Sequence, residues 1–562
     1  MSQSKKEIND RCSPGTVLRN AMNPEIFDYP GPGFREWEED SMFIQSDVSV
    51  KMRDGIKIYV DLYRPLADEE KPLPVLIAWS PYGKHGGVKI EQIPGHDLNP
   101  EHISKHYRFE AADPMYWCSH GYAVIFVDPR GTWNSEGKSS IFSSAEAEDC
   151  YDLIEWAGTQ NWSNGKVGLI GQSYFGIIQW NVAALNPPHL ACIAPWGAVS
   201  DMMRNLGRHG GVPNDQMLRI MNRLTGLSTR FDQGEKVEDW LESMLAHPFD
   251  DEYWKDKRPD LAKINVPTYA VADWTDMLLH TPGTMDAFNK ISSDQKWLEI
   301  NGRKKWERFV QPEHAARLRA FYDRFLKGLD NDVTNWPPVR IEVRERYKVG
   351  EMYDEQEWPL ARTDYQKLYL HTSGVANFEP AEEGSLSYES LDGQLTFDFS
   401  VTEQLELTGF SSMRLWVEAD GSDDMDLFVG IRKINREGEV VTFPYYTVYN
   451  NGEATLGCLR VSHRATDPSQ STPWRPFLTH DCEARLSPSE KVPVDIPLMP
   501  SSTLFEKGDT LQVIIQGRDI VVNDENMPCA GHTVLRNKGR HIIYLGGKYD
   551  SHVLLPVIEP RH

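Results

Sequence analysis

Two runs in which apolar and polar residues alternate, DVSVKMRDG and KIYVDLYRP, meet at Asp54-Gly55, a pair favoured in hairpin turns. PVLIAWSPY and GYAVIFVDPRG follow, continuous apolar runs of the kind buried on both faces of a parallel sheet. AEAEDCYDLIEWAGTQ predicts a helix, with Tyr151, Leu153, Ile154 and Trp156 at its apolar positions. A short strand KVGLIG, a helix-like run IIQWNVAAL and a strand LACIAPWG come next. Strands alternating with helices predict a mostly parallel α/β sheet with helices on its faces. From Asp201 to Lys263 the rhythm changes: MRNLGRHGG, QMLRIMNRLTGL and EDWLESMLAH predict short amphipathic helices, as in a cap inserted between two sheet strands. The sheet resumes at VPTYAVADW and KWLEIN and closes on the helix EHAARLRAFYDRFLKG, with Gly328 as its C-cap. Beyond Glu345, alternating segments such as SMRLWVEADG, DLFVGIRKI and DTLQVIIQG are separated by turn residues with no helix between them, which predicts a β-sandwich. The expected organisation is an arm over 1–40, an α/β domain over 41–200 and 264–345, a helical cap over 201–263 and a β-sandwich over 346–562.

Composition narrows the functional classes. At 562 residues the chain is too long for one core. Its net charge of −24 repels phosphate backbones and anionic lipid, so nucleic acid and membrane are not expected partners. No apolar stretch has membrane-spanning length, and the polar start MSQSKKEINDRCSPG lacks the apolar core of a secretory signal. Cys12, Cys118, Cys150, Cys192, Cys458, Cys482 and Cys529 are scattered, odd in number and without a CxxC pair; they fit reduced thiols and a cytoplasmic location. No His/Cys cluster has ligand spacing, so neither a metal nor another cofactor is expected. The expected partner is a small-molecule substrate, with homo-oligomerisation left open.

Candidate chemistry concentrates at Gly171-Gln172-Ser173-Tyr174-Phe175-Gly176. A strand that breaks at a glycine-flanked serine and is followed by a helix is the order a nucleophile elbow requires. The sharp turn lifts the hydroxyl above the sheet, and small flanking residues let strand and helix approach. The second glycine falls one place later than in G-x-S-x-G.

SPYGK (80–84), DPRGTWNSEG (128–137), GQSYFG (171–176), VADWTD (271–276), DRFLKGLDN, LRVSHR and RNKGRHIIYLGG together resemble the Xaa-Pro dipeptidyl-peptidase and cocaine-esterase type of serine hydrolase. The resemblance runs in order along nearly the whole chain. It implies an α/β-hydrolase domain, a helical cap and a C-terminal jelly-roll-like domain, with acyl transfer from esters or amides to water. It further implies Ser173 as nucleophile, the Tyr174 backbone N–H and the Tyr82 hydroxyl as oxyanion donors, and Asp276 as triad acid. Asp273 stands where the family's GWxD motif has glycine, and the ion pair Arg130–Asp128 is expected to be structural. The chemistry needs these types: a serine hydroxyl requires a base, the base requires a carboxylate to orient it, and two donors must meet the developing oxyanion.

The chain departs from the family at the base. Where the family places a Gly-Pro-Trp-x-His motif after the last strand, this sequence has Gly302-Arg303-Lys304-Lys305-Trp306. His314 has the right chain order but begins a helix; His280 follows Asp276 so closely that a direct arrangement needs an unusual turn; His85 is a more remote candidate. Three classes of function stay open. One is hydrolysis of an ester or related acyl bond with a relocated histidine, with dipeptidyl-peptidase activity as a variant. Another is a non-hydrolytic step such as a lyase, cyclase or condensing reaction, with Ser173 as hydrogen-bond donor. The last is a non-catalytic binder using the sandwich. A peptidase would need carboxylates to clamp a substrate amino group, and the cap offers Asp215, Asp232, Glu235 and Glu238. Met202, Met203, Met217, Leu218, Met221, Leu224, Leu227, Trp240 and Met244 suggest an adaptable apolar pocket for a bulky acyl or aryl group.

Overall fold

A computed structural model describes residues 11–20, 33–66, 71–93, 95–226, 235–521 and 531–559. The core is one sheet in the order β1 (Met42–Lys51), β2 (Lys57–Pro65), β4 (Ala123–Asp128), β3 (Leu73–Trp79), β5 (Ser163–Leu169), β6 (Leu190–Ile193), β7 (Thr268–Asp273), β8 (Lys296–Asn301), β9 (Val339–Arg346), β10 (Val349–Glu355). β1 and β2 are the antiparallel hairpin expected at Asp54-Gly55, where Gly55 takes a positive φ of 94°. β4, β3 and β5 to β9 are mutually parallel, and β3 and β4 are buried along their whole length, as continuous apolar runs require. The sheet does not stop near 345. β10 pairs antiparallel with β9 through Val349–Glu355 and forms its outer edge.

Helices cover both faces, among them α1 (Ser144–Gly158), α2 (Tyr174–Ala183), α3 (Thr281–Lys290), α4 (Lys305–Val310) and α5 (Pro312–Leu326). α1 begins at an N-cap whose Ser143 hydroxyl accepts from the Glu146 N–H. α2 has no polar face; every residue is buried, because it crosses the centre of the sheet behind the elbow.

Two helices of the cap fall where periodicity predicts them, at Asp215–Gly226 and Trp240–Ala246. MRNLGRHGG behaves differently. Met203–Gly207 form a single π-helical turn, after which Arg208–His209 pairs with Val212–Pro213. Gly210 and Gly211 turn this ribbon at positive φ, and a side chain on Gly210 would strike the Cys458 carbonyl at 2.0 Å. The sandwich, pressed against the cap here, overrides helical periodicity. The described parts of the arm include two strands: Leu18–Asn20 pairs with Glu235–Glu238 of the cap, and Arg35–Glu39 extends the sheet beyond β1. Leu227, Asp232 and Cys529 lie outside the described residues.

The C-terminal domain is two packed sheets. One contains Thr363–Leu370, Gly384–Glu389, Leu405–Asp420, Val492–Phe505, Arg540–Leu545 and His552–Ile558; the other contains Gln394–Ser400, Asp426–Ile434, Val440–Val441, Thr455–Arg460 and Thr510–Gln516. Leu415, Val417, Leu427, Val429, Val513 and Ile543 form its own core. Arg344 of β9 pairs with Thr503, so the first sheet joins the sandwich directly.

The cap–sandwich junction holds two buried histidine pairs. His209 Nδ1 meets His532 Nε2 at 3.1 Å, and His463 Nδ1 meets His480 Nδ1 at 3.2 Å. Burial first, then the neighbouring positive groups, hold His209, His463 and His480 below the usual imidazole range. At these three histidines the unfolded chain binds more protons than the folded one below about pH 6.5, so their contribution to stability falls as pH drops through that value. The expected slope is about 1.4 kcal/mol per pH unit for each histidine protonated on unfolding. Urea midpoints measured from pH 7.5 to 5 for the wild type and for His480→Gln check this; the same pH dependence in both contradicts it.

Candidate active site

The elbow forms at the C-terminal end of β5, in the middle of the sheet. Ile170 still donates its N–H to the Ile77 carbonyl at 3.0 Å, holding the chain in place up to the turn. Ser173 then adopts φ 56° and ψ −117°, a conformation that costs a non-glycine residue about 1–3 kcal/mol and persists only where its surroundings enforce it. Here the Ser173 N–H donates to the Trp196 carbonyl at 2.9 Å, and its own carbonyl accepts from Gly176 and Ile177 at 2.8 Å. A methyl on Gly171 would lie 2.5 Å from Phe175 Cβ, and one on Gly176 would lie 2.8 Å from the Trp196 carbonyl oxygen. The shifted second glycine is therefore needed where α2 crosses Trp196.

Asp276, Met277 and His280 lie on one continuous helical turn between β7 and α3; the His280 N–H donates to the Asp276 carbonyl at 3.1 Å. Residues one turn apart share a helix face, so the closeness of Asp276 and His280 in sequence is what brings them together. His280 Nδ1 bonds Asp276 Oδ2, and Nε2 lies 3.1 Å from Ser173 Oγ. The carboxylate contact places the ring proton on Nδ1 and leaves Nε2 to accept from the serine hydroxyl. Burial, opposed by Asp276 and assisted by Lys305, lowers the affinity of His280 for a second proton, which keeps Nε2 available at neutral pH. Burial pushes the Asp276 carboxyl up, but His280 and Lys305 outweigh it and bring it down to about 2.

Tyr82 is buried beside the elbow and packs edge-on to Tyr174 at 5.9 Å and to Phe109 at 5.4 Å. Burial raises its phenol well above the usual range, Glu110 raises it further, and only its contact with Ser173 opposes this; the hydroxyl stays a donor. Tyr174 opens α2, so its N–H is one of the donors a helix leaves unpaired at its start. Its hydroxyl points elsewhere, donating to Glu146 at 2.8 Å. Asp273 accepts from Trp196 Nε1 at 3.0 Å and Asn301 Nδ2 at 2.8 Å, and burial raises its carboxyl to about 7.

The structure does not bring the other candidates to the serine. His314, inside α5, faces Glu299 at 3.5 Å and packs edge-on to Trp196. It stays buried against that indole because α5 is a continuous helix without the long loop needed to carry it back to the serine. His85 lies between Asp47 and Asp61 beside Lys84. Arg130 pairs with Asp149 at 2.6 Å and Asp54 at 2.8 Å instead of Asp128, whose carboxylate accepts from the Lys84 N–H at 3.0 Å. Sequence reasoning missed Lys305, which is buried against Asp276, and Glu110, which pairs with Lys305; the one signal was that Lys305 sits in the segment where the family's histidine is absent.

Among the cap residues, Met202, Met203, Met217, Leu218, Trp240 and Met244 are buried in the main core, and Met221 and Leu224 pack against it. A separate cavity of about 550 Å³ lies where cap, α3 and sandwich meet, lined in part by Leu278, Pro282, Phe410, Phe477 and Met499. Ser173 and His280 are not among its described lining residues.

Fold and site together define an enzyme of the α/β-hydrolase class with an elbow serine. Residues 54–304 match the family model of the X-Pro dipeptidyl-peptidases (S15 family), and 331–554 match that of the X-Pro dipeptidyl-peptidase C-terminal non-catalytic domain. A CocE/NonD family hydrolase of Staphylococcus aureus superposes with a TM-score of 0.90 at 36% identity, covering 96% of this chain and 99% of its own. The cocaine esterase of Rhodococcus sp. (strain MB1 Bresler) is 24% identical over 92% of this chain and 99% of its own length. A putative Xaa-Pro dipeptidyl-peptidase of Bacillus anthracis is 23% identical over 66% of this chain and 65% of its own. The chain belongs to the CocE/NonD hydrolases of the X-Pro dipeptidyl-peptidase (S15) family.

Proposed function

We propose that the protein is a serine esterase that hydrolyses an ester or related acyl bond of a bulky hydrophobic small molecule in the cytoplasm. The observation that carries this reading is the 3.1 Å approach of His280 Nε2 to Ser173 Oγ, with Asp276 on the opposite ring nitrogen. Ser173 Oγ attacks the carbonyl carbon while His280 takes its proton, and Asp276 stabilises the imidazolium. The oxyanion is met by the Tyr82 hydroxyl and the Tyr174 N–H. His280 then returns its proton to the departing alcohol, and a water molecule activated by the same nitrogen releases the acid.

An aryl or large acyl group suits the rings of Tyr82, Phe109, Phe175 and Trp306, which pack together around the elbow. Peptidase use is the second reading, favoured by the family match. Against it, two of the cap carboxylates that could clamp an amino group are engaged internally. Asp215 accepts from Thr533 Oγ1 at 2.6 Å, and Glu238 binds Lys257 at 3.0 Å and Tyr253. The non-hydrolytic reading rested on the absence of a base, and His280 lies where a base is needed.

The test is intact-mass analysis after fluorophosphonate treatment, followed by rates on aryl esters and Xaa-Pro anilides. One adduct lost in Ser173→Ala, with aryl esters turned over faster, is expected. An unlabelled wild-type chain would overturn the serine mechanism, and faster anilide cleavage would replace esterase by dipeptidyl-peptidase.

A further inference from the structure

In the segment where the family's histidine is missing, the chain places a buried lysine. Lys305 Nζ lies 3.1 Å from Glu110 Oε1 and 3.5 Å from Asp276 Oδ2, and all three side chains are almost fully buried. Trp306, at the position aligned with the family's histidine, donates its indole N–H to the same Glu110 oxygen at 2.8 Å. The main chain completes the brace: Gln172, next to the nucleophile, donates its N–H to the Glu110 carbonyl at 3.0 Å and its side-chain amide to the Lys305 carbonyl at 2.7 Å. The Lys305 stem and the His280 side chain both lie beside Gly197, where an added Cβ would be 3.7 Å from Lys305 Cδ and from His280 Cβ.

This is an expensive arrangement to hold in a dry interior. Among the described residues, Glu110 Oε2 and Asp276 Oδ1 are buried with no hydrogen-bond partner, so the ammonium is what neutralises two under-satisfied carboxylates. The charged and titratable groups facing it are Glu110 from the loop after β3, Asp276 and His280 from the turn after β7, and Asp273 from the end of β7.

We propose that Lys305, braced by Glu110, is a positioning residue of the candidate hydrolase site: it holds the Asp276 carboxylate against His280 and sets the pH range over which that imidazole can act as base. The inference rests on the esterase reading above. Physically, the ammonium opposes formation of a neighbouring imidazolium, whereas Glu110 favours it. Removing one or the other must move the acid limb of reactivity in opposite directions, which loss of packing alone would not do.

The experiment follows the rate of fluorophosphonate labelling of the full chain against pH. Lys305→Met is expected to move the acid limb up by roughly one pH unit, so that labelling at a fixed pH on that limb falls roughly tenfold. Glu110→Gln is expected to move the limb down, and Lys305→Arg, which keeps the cation, to hold it near the wild-type position. Limbs that stay in place in the first two variants, or move the same way, overturn the inference while leaving the esterase reading intact; a wild-type chain that does not label removes that reading itself. If circular dichroism shows Lys305→Met unfolded, Glu110→Gln and Lys305→Arg decide: an unmoved limb in the former or a displaced one in the latter overturns the inference.

Discussion

His280→Ala is expected to lower turnover by roughly ten-thousand-fold or more and to abolish fluorophosphonate labelling, while His314→Ala leaves labelling within a few-fold of wild type. The reason is geometric. His280 Nε2 is 3.1 Å from the serine oxygen, whereas His314 faces Glu299 and packs edge-on to Trp196. Without the imidazole, Ser173 keeps the reactivity of an ordinary alcohol, and only the oxyanion donors remain to stabilise the transition state. Labelling rates and kcat on one aryl ester, measured for both variants with thermal unfolding as a check, decide the matter. Retained labelling in His280→Ala would remove it from the mechanism.

Tyr82→Phe is expected to lower kcat by roughly 100- to 1000-fold with KM changed little, because the phenol meets charge that exists only in the transition state. Its ring stays packed against Phe109, Tyr174 and Phe175 in the variant, so the effect isolates the hydroxyl. A rise in KM with kcat unchanged would instead make Tyr82 a binding residue. Since burial keeps this phenol protonated, its donor function should persist well above neutral pH.

Much of the architecture was legible along the chain. Continuous apolar runs such as AVIFVD belong to strands buried on both faces, and the periodicity of SAEAEDCYDLIEWAG belongs to a helix with one face on the sheet. Local chemistry also located the elbow: Gly171 answers to Phe175 within the same strand–turn–helix unit, whereas the place of Gly176 is set by Trp196, beyond the next strand. Where distant elements meet, local pattern was overridden: MRNLGRHGG is periodic, yet the sandwich at Cys458 forces its glycines into a tight ribbon.

The base shows the same division. Sequence alone supplied the serine, the acid and three histidines, because each is a residue type at a recognisable place. Choosing among the histidines required the backbone path after β7, where a helical turn puts Asp276 and His280 on one face and the packing of α3 presents that face to Ser173. Glu110 and Lys305 were invisible for a related reason. They are far apart in the chain, and what gives them meaning, a shared dry interior with Asp276, exists only once the sheet has brought their loops together. Periodicity and turn chemistry are short-range and readable from neighbours, whereas the pairing of buried charges depends on contacts that only the folded chain makes.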